Sequence, residues 1–247
     1  MRKIIFVLMF VSLILICIEN AISSESVKLM TEDRIRTSAT YYKPPSPNAA
    51  GVILIPDTRC DRSAFGRFPK KLNDAGFAVL VLEFRYKDLI ARERRIDEQI
   101  KLLLRQDVYA PVNYEIKSAL DFLSQKGLEA NRIALLGTSY GSRVALHSGV
   151  KYKTKALVLV SLSGHEALPG KAVKELLEEF GEKPILFMTS ENDWGGDYKA
   201  AEHNKLYFEW AKGKKELKIW SDSYHGVDVL GIKGSADFTI MWLKENL

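Results

Sequence analysis

Short apolar runs alternate with longer amphipathic stretches along this chain. Val27–Met30 and Ile35–Tyr42 predict the two strands of an opening hairpin, and the proline-rich loop Lys43–Asn48 belongs to neither helix nor sheet. Gly51–Pro56 and Phe77–Leu82 are continuous apolar runs, as expected of strands covered by helices on both faces. Between them Phe65–Ala75 predicts a helix closed by Gly76. In 86–106, Leu89, Ile96, Ile100, Leu103 and Leu104 share one helical face, so this segment is either a small cap or an extra surface helix. Ala110–Pro111 opens the next helix, with Val112, Ile116, Leu120 and Leu123 as its buried stripe. Strands are then predicted at Arg132–Leu136, Ala156–Val160, Pro184–Met188 and Leu217–Trp220, and helices from Ser142 onward and at Lys171–Phe180, Lys199–Ala211 and Ser235–Glu245. This alternation specifies an α/β fold with a mostly parallel, eight-stranded sheet, helices on both faces and the hairpin as an antiparallel edge. Ligands of such sheets bind at the carboxyl ends of the strands. The loops to inspect are therefore those after Pro56, Leu82, Gly137, Val160, Met188 and Trp220.

The chain has 247 residues and is 47% hydrophobic, enough for one domain with a real core. Residues 1–23 stand apart. Arg2 and Lys3 precede an apolar run from Ile4 to Cys17, and Ala21-Ile22-Ser23 places small residues where a signal peptidase reads. The expectation is a secretory signal peptide cut after about Ser23, with an uncleaved membrane anchor as the alternative, and a single domain over 24–247. The protein would then be periplasmic or secreted. The formal charge of +5 loses Arg2, Lys3 and Glu19 with the leader and becomes +4. An exported protein meets little nucleic acid, so this mild positive charge points to an anionic substrate or weak association with a membrane surface. Cys60 is the only cysteine after the leader, so no disulfide framework is expected.

The stretch with the most specific chemistry is Gly137-Thr138-Ser139-Tyr140-Gly141. Its G-x-S-x-G pattern lies between a buried strand and a helix, the context of a nucleophile elbow. Ser139 would stand above the sheet edge, with a helix N-terminus aimed at the same point. Downstream, Asp193 follows one strand and His225 another. The order serine, acid, histidine suits nucleophilic catalysis, because a serine hydroxyl needs an adjacent base and the base needs an orienting acid. On these residues the chain resembles the α/β-hydrolases, and among them the small dienelactone-hydrolase-like serine esterases. The resemblance implies a Ser139, His225 and Asp193 triad acting on a small acyl substrate through an acyl-enzyme. A peptidase of the same fold and a non-catalytic envelope binding protein are the alternative readings.

Asp197 is a rival acid, better suited to capping the next helix. His147 reads as a packing or surface residue, His203 as a solvated helical one, and His165 as a pocket-lining residue. An oxyanion hole would take the backbone amides of Tyr140 and Thr58. Many hydrolases of this kind have His-Gly in the second loop, whereas this chain has Pro56-Asp57-Thr58-Arg59, placing a carboxylate beside the hole for Arg59 or Arg62 to neutralise. Arg59 and Arg85 are candidates to bind a substrate carboxylate, and Trp194 is a candidate pocket wall. No glycine-rich phosphate loop and no zinc-ligand spacing appears, so neither a cofactor nor a metal is inferred.

Overall fold

A computed structural model describes residues 24–57, 60–84, 110–162, 164, 166–167, 171–193 and 200–247. The leader, the 86–106 segment, Thr58, Arg59, Arg85, His165, Trp194 and Asp197 lie outside the described residues.

An eight-stranded sheet organises the chain, in the order β1-β2-β4-β3-β5-β6-β9-β10. Its strands are β1 (Ser24–Met30), β2 (Arg36–Tyr42), β3 (Gly51–Ile55), β4 (Ala78–Leu82), β5 (Ile133–Thr138), β6 (Ala156–Val160), β9 (Ile185–Ser190) and β10 (Lys215–Trp220). The short strands β7 (Glu166–Ala167) and β8 (Lys171–Ala172) pair separately. From β4 to β10 every pairing is parallel, and β2 joins antiparallel to both β1 and β4. The helices are α1 (Phe68–Asp74), α2 (Ala110–Gln125), α3 (Tyr140–Lys151), α4 (Val173–Phe180), α5 (Ala200–Trp210) and α6 (Ser235–Asn246).

The apolar runs bury both faces of the sheet. Ile53, Ile55, Leu135, Leu157, Leu159 and Phe187 pack toward α2, α3, α4 and α5. Their strand neighbours Val52, Leu54, Leu136, Val158, Leu186 and Met188 pack toward α1 and α6. Successive side chains of one strand therefore enter opposite cores, which is why these strands read as unbroken apolar runs. Among the described residues, Tyr207 and Trp242 are the largest fully buried side chains, one on each side. Ile116, Leu120 and Leu123 are buried as the helical stripe requires.

Two predicted elements change. The helix expected over Phe65–Ala75 is a 3-10 turn at Arg62–Phe65 followed by α1 from Phe68. Gly66 takes a left-handed φ of 52° between them, and Pro69 suits only the first turn of a helix. Asp61 caps the 3-10 turn by accepting from the Ser63 amide at 2.8 Å. The helix expected from Lys171 starts at Val173, because Lys171–Ala172 pairs with Glu166–Ala167.

Candidate active site

Strand β5 runs into helix α3 through a single residue, Ser139, whose backbone has φ 53° and ψ −117°. The two flanking glycines make this turn possible. A Cβ on Gly137 would lie 2.0 Å from the Gly141 carbonyl oxygen, and one on Gly141 would lie 2.3 Å from that of Ile55. Only glycine fits where backbone approaches backbone so closely. The Ser142 hydroxyl lies 2.7 Å from the carbonyl oxygens of Gly137 and Val160, and the Ser139 amide donates to Val160 O at 2.8 Å. The elbow is thus fastened to the neighbouring strand β6. A strained residue held by its surroundings in this way is a feature of functional sites.

The structure brings Ser139, His225 and Asp193 together. The Ser139 hydroxyl lies 2.8 Å from His225 Nε2, and His225 Nδ1 makes a short hydrogen bond to Asp193 Oδ1. Asp193 is an acceptor-only carboxylate, so Nδ1 carries the proton and Nε2 is left to accept from the serine. The Asp193 side chain is fully buried and that of His225 is 14% exposed. The second carboxylate oxygen, Oδ2, accepts from Thr189 Oγ1 at 2.7 Å and from Ser161 Oγ at 2.5 Å. A buried carboxylate needs such partners, and here both of its oxygens have them. The loops carrying the acid and the base are also tied to each other. The Glu191 amide donates to Trp220 O at 2.9 Å and that of Asn192 to Asp222 O at 3.1 Å.

The sequence does not mark Ser161 or Thr189 as members of this site. A lone hydroxyl after an apolar run is a common pattern, and nothing local marks it as a partner of a residue far along the chain. Ser161, like Ser139, follows a buried strand, and only that position hinted at a role.

The remaining candidates divide. Tyr140 opens α3 directly after Ser139, and its ring packs edge-on against Phe84 with centroids 6.0 Å apart. Asp57 is buried, two residues past the end of β3. Of the two cations expected near it, Arg59 lies outside the described residues, and Arg62 has its Nε 3.8 Å from Glu83, with its amide also meeting that carboxylate. His147 is partly buried, with Nδ1 3.1 Å from Asn113 Oδ1. The expectation that His203 is solvated is corrected: it is half-buried, with its ring 6.0 Å from that of Tyr207. Both residues lie on α5, where positions four apart share a face.

A groove of about 650 Å³ lies beside the His225 loop, with Tyr224 and Val227 on one wall and Phe65, Arg67 and Lys71 on the other. Among the described residues, no group of three or more His, Cys, Asp or Glu is placed to hold a metal ion, and no helix is long and apolar enough to cross a membrane.

Solved structures with the same fold include an esterase from Pyrococcus furiosus, with a TM-score of 0.66 and 15% identity over 90% of this chain and 91% of that one. The esterase domain of a Rhodothermus marinus protein matches with a TM-score of 0.64 and 16% identity, over 90% of this chain and 96% of that one. Dipeptidyl peptidase 4 of Porphyromonas gingivalis matches with a TM-score of 0.64 and 14% identity, over 91% of this chain but 35% of the peptidase. At such identities the likeness establishes the α/β-hydrolase fold alone. No curated protein sequence matches. The model of the dienelactone hydrolase family matches residues 37–229, most of the chain, and on that match the chain belongs to this family of hydrolases.

Proposed function

We propose that this protein is an exported serine hydrolase that cleaves an ester, lactone or thioester of a small substrate through an acyl-enzyme on Ser139. The observation that carries the reading is the unbroken hydrogen-bonded chain from Ser139 through His225 to Asp193 at the carboxyl edge of the sheet. His225 Nε2 takes the hydroxyl proton as Ser139 Oγ bonds to the acyl carbon. Asp193 holds the resulting imidazolium in place. His225 then returns the proton to the leaving oxygen or sulfur as its bond to the acyl carbon breaks. A water next attacks the acyl-enzyme and passes its proton to His225, and Ser139 leaves with that proton. The developing oxyanion would be met by the amides of Tyr140 and Thr58. The groove beside Tyr224 is lined by none of Ser139, Asp193 and His225, so it is not assigned to the substrate, and Arg59, Arg85, His165 and Trp194 are the candidates for contacting that substrate.

Labelling the purified mature protein with a fluorophosphonate, and locating the adduct by mass spectrometry, tests the reading. A label on Ser139 that disappears in His225→Ala is the expected result. A folded protein that takes no label would sink it and favour the binding-protein alternative. The same chemistry would cleave an amide, and an acyl panel in which peptides turn over faster than esters would move the assignment to a peptidase. The leader supports export, and the N-terminal sequence of protein recovered from the cell envelope checks where it is cut.

A further inference from the structure

We propose that Ser161 is the positioning residue of this site, a hydroxyl that fixes the acid and the base against each other. The inference rests on the reading of Ser139, His225 and Asp193 as the reacting triad.

Ser161 directly follows β6 and is completely buried. Its single oxygen acts as donor and as acceptor at once. The hydroxyl donates to Asp193 Oδ2 at 2.5 Å, and the oxygen accepts from the Gly226 amide at 2.9 Å. Asp193 lies in the loop after β9, and Gly226 directly follows His225 in the loop after β10. One atom therefore joins the ends of three successive strands, β6, β9 and β10. Holding Oδ2 fixes the carboxylate so that Oδ1 faces His225 Nδ1. Holding the Gly226 amide fixes the backbone that aims His225 Nε2 at Ser139.

The backbone supplies a second, independent observation. Ser161 has a left-handed φ of 55°, a conformation that costs any residue with a Cβ. Glycine would take it without strain. A serine that bears this cost in a fully buried place is there for its hydroxyl. Thr189 also donates to Oδ2, so the acid keeps one partner when Ser161 is changed, and the fold is expected to tolerate the substitution.

The test compares Ser161→Gly and Ser161→Ala with the wild-type protein. The readouts are the rate of Ser139 labelling by a fluorophosphonate, the thermal midpoint, and the His225 Nδ1 proton by NMR on 15N-histidine-labelled protein. Both variants are expected to label about tenfold to a hundredfold more slowly, the range for losing one charge-assisted hydrogen bond. The Nδ1 proton, protected from solvent in the wild type, should exchange too fast to be seen. The glycine variant should melt above the alanine variant, because both lose the hydroxyl and only glycine fits the positive φ without strain. A role confined to backbone conformation predicts that Ser161→Gly labels at the wild-type rate with its Nδ1 proton retained, and that result would overturn the proposal. An unprotected Nδ1 proton in the wild type would overturn it without recourse to any variant. A wild-type protein that takes no label at Ser139 defeats the hydrolase reading itself and this inference with it, and the unmutated control tells the two failures apart.

Discussion

Ser139 and Ser161 stand side by side at the ends of two neighbouring parallel strands, each with a left-handed backbone of φ 53° or 55°. Thr138 and Val160 are register partners, and the next residue on each strand is the serine. The Ser139 amide bonds to Val160 O, so the two turns share a hydrogen bond as well. One hydroxyl points to the base and the other to the acid. The site is thus built on a pair of strained serines set by the register of β5 against β6.

The strain at Ser139 predicts a trade between stability and activity. Ser139→Gly removes the Cβ from a positive-φ position and should stabilise the fold by about 1 kcal/mol. For a domain of this size that raises the melting temperature by about 2–4 °C. Ester turnover should fall by roughly 10⁴-fold to 10⁶-fold, as for loss of a serine nucleophile. Calorimetry and an assay with a nitrophenyl ester measure the two effects on one sample. A variant that melts lower than the wild type would argue against strain at the elbow.

Gly137→Ala and Gly141→Ala should behave in the opposite way. Each new methyl would lie within 2.3 Å of a backbone carbonyl oxygen that cannot move without shifting a central strand or helix. Either substitution should cost about 3 kcal/mol or more and lower the urea midpoint accordingly. Gly66→Ala is the control, because its φ is 52° but no atom lies within 4 Å of the new methyl. It should cost only about 1 kcal/mol.

Asp193→Asn tests the orienting role of the acid. The amide keeps the shape, but it can present a donor to His225 Nδ1 and so favour the wrong tautomer. A loss of about 10⁴-fold in kcat with little change in KM is expected. The Thr189 and Ser161 hydroxyls both donate to Oδ2, and both would lose their acceptor if the amide turned its nitrogen toward them. Equal losses in kcat and in substrate affinity would point to disorder of the loop instead.

Tyr152 makes a prediction about alkaline pH. Its hydroxyl donates to the Asn113 carbonyl at 3.0 Å, and burial, aided by Glu32, Asp121 and Tyr114, pushes its pKa up to about 12 from 10.0. The unfolded chain therefore loses this proton first as pH rises. The stability Tyr152 contributes is intact below pH 10.0 and declines as pH rises toward about 12. Tyr152→Phe should flatten that decline, measured as the denaturant midpoint against pH. An unchanged slope would show that another group governs alkaline unfolding.

The parts of this protein are legible in its chain: eight runs of strand length, the helices between most of them, and a serine, an acid and a histidine each following a strand. These features are legible because the hydrophobic period and turn chemistry are local, and the pattern at Ser139 reports its own constraint through Gly137 and Gly141. The break at Gly66 was less legible, since a glycine inside an amphipathic run ends a helix only when packing favours the turn. Which residues meet depends on how the strands assemble. The order of β6, β9 and β10 brings Ser161 to Asp193 across 32 positions and to Gly226 across 65. The same assembly brings Arg62 to Glu83, directly after β4. Such pairings depend on strand register and on which loops share an edge of the sheet. That information is distributed over the whole core, so no short window of sequence carries it.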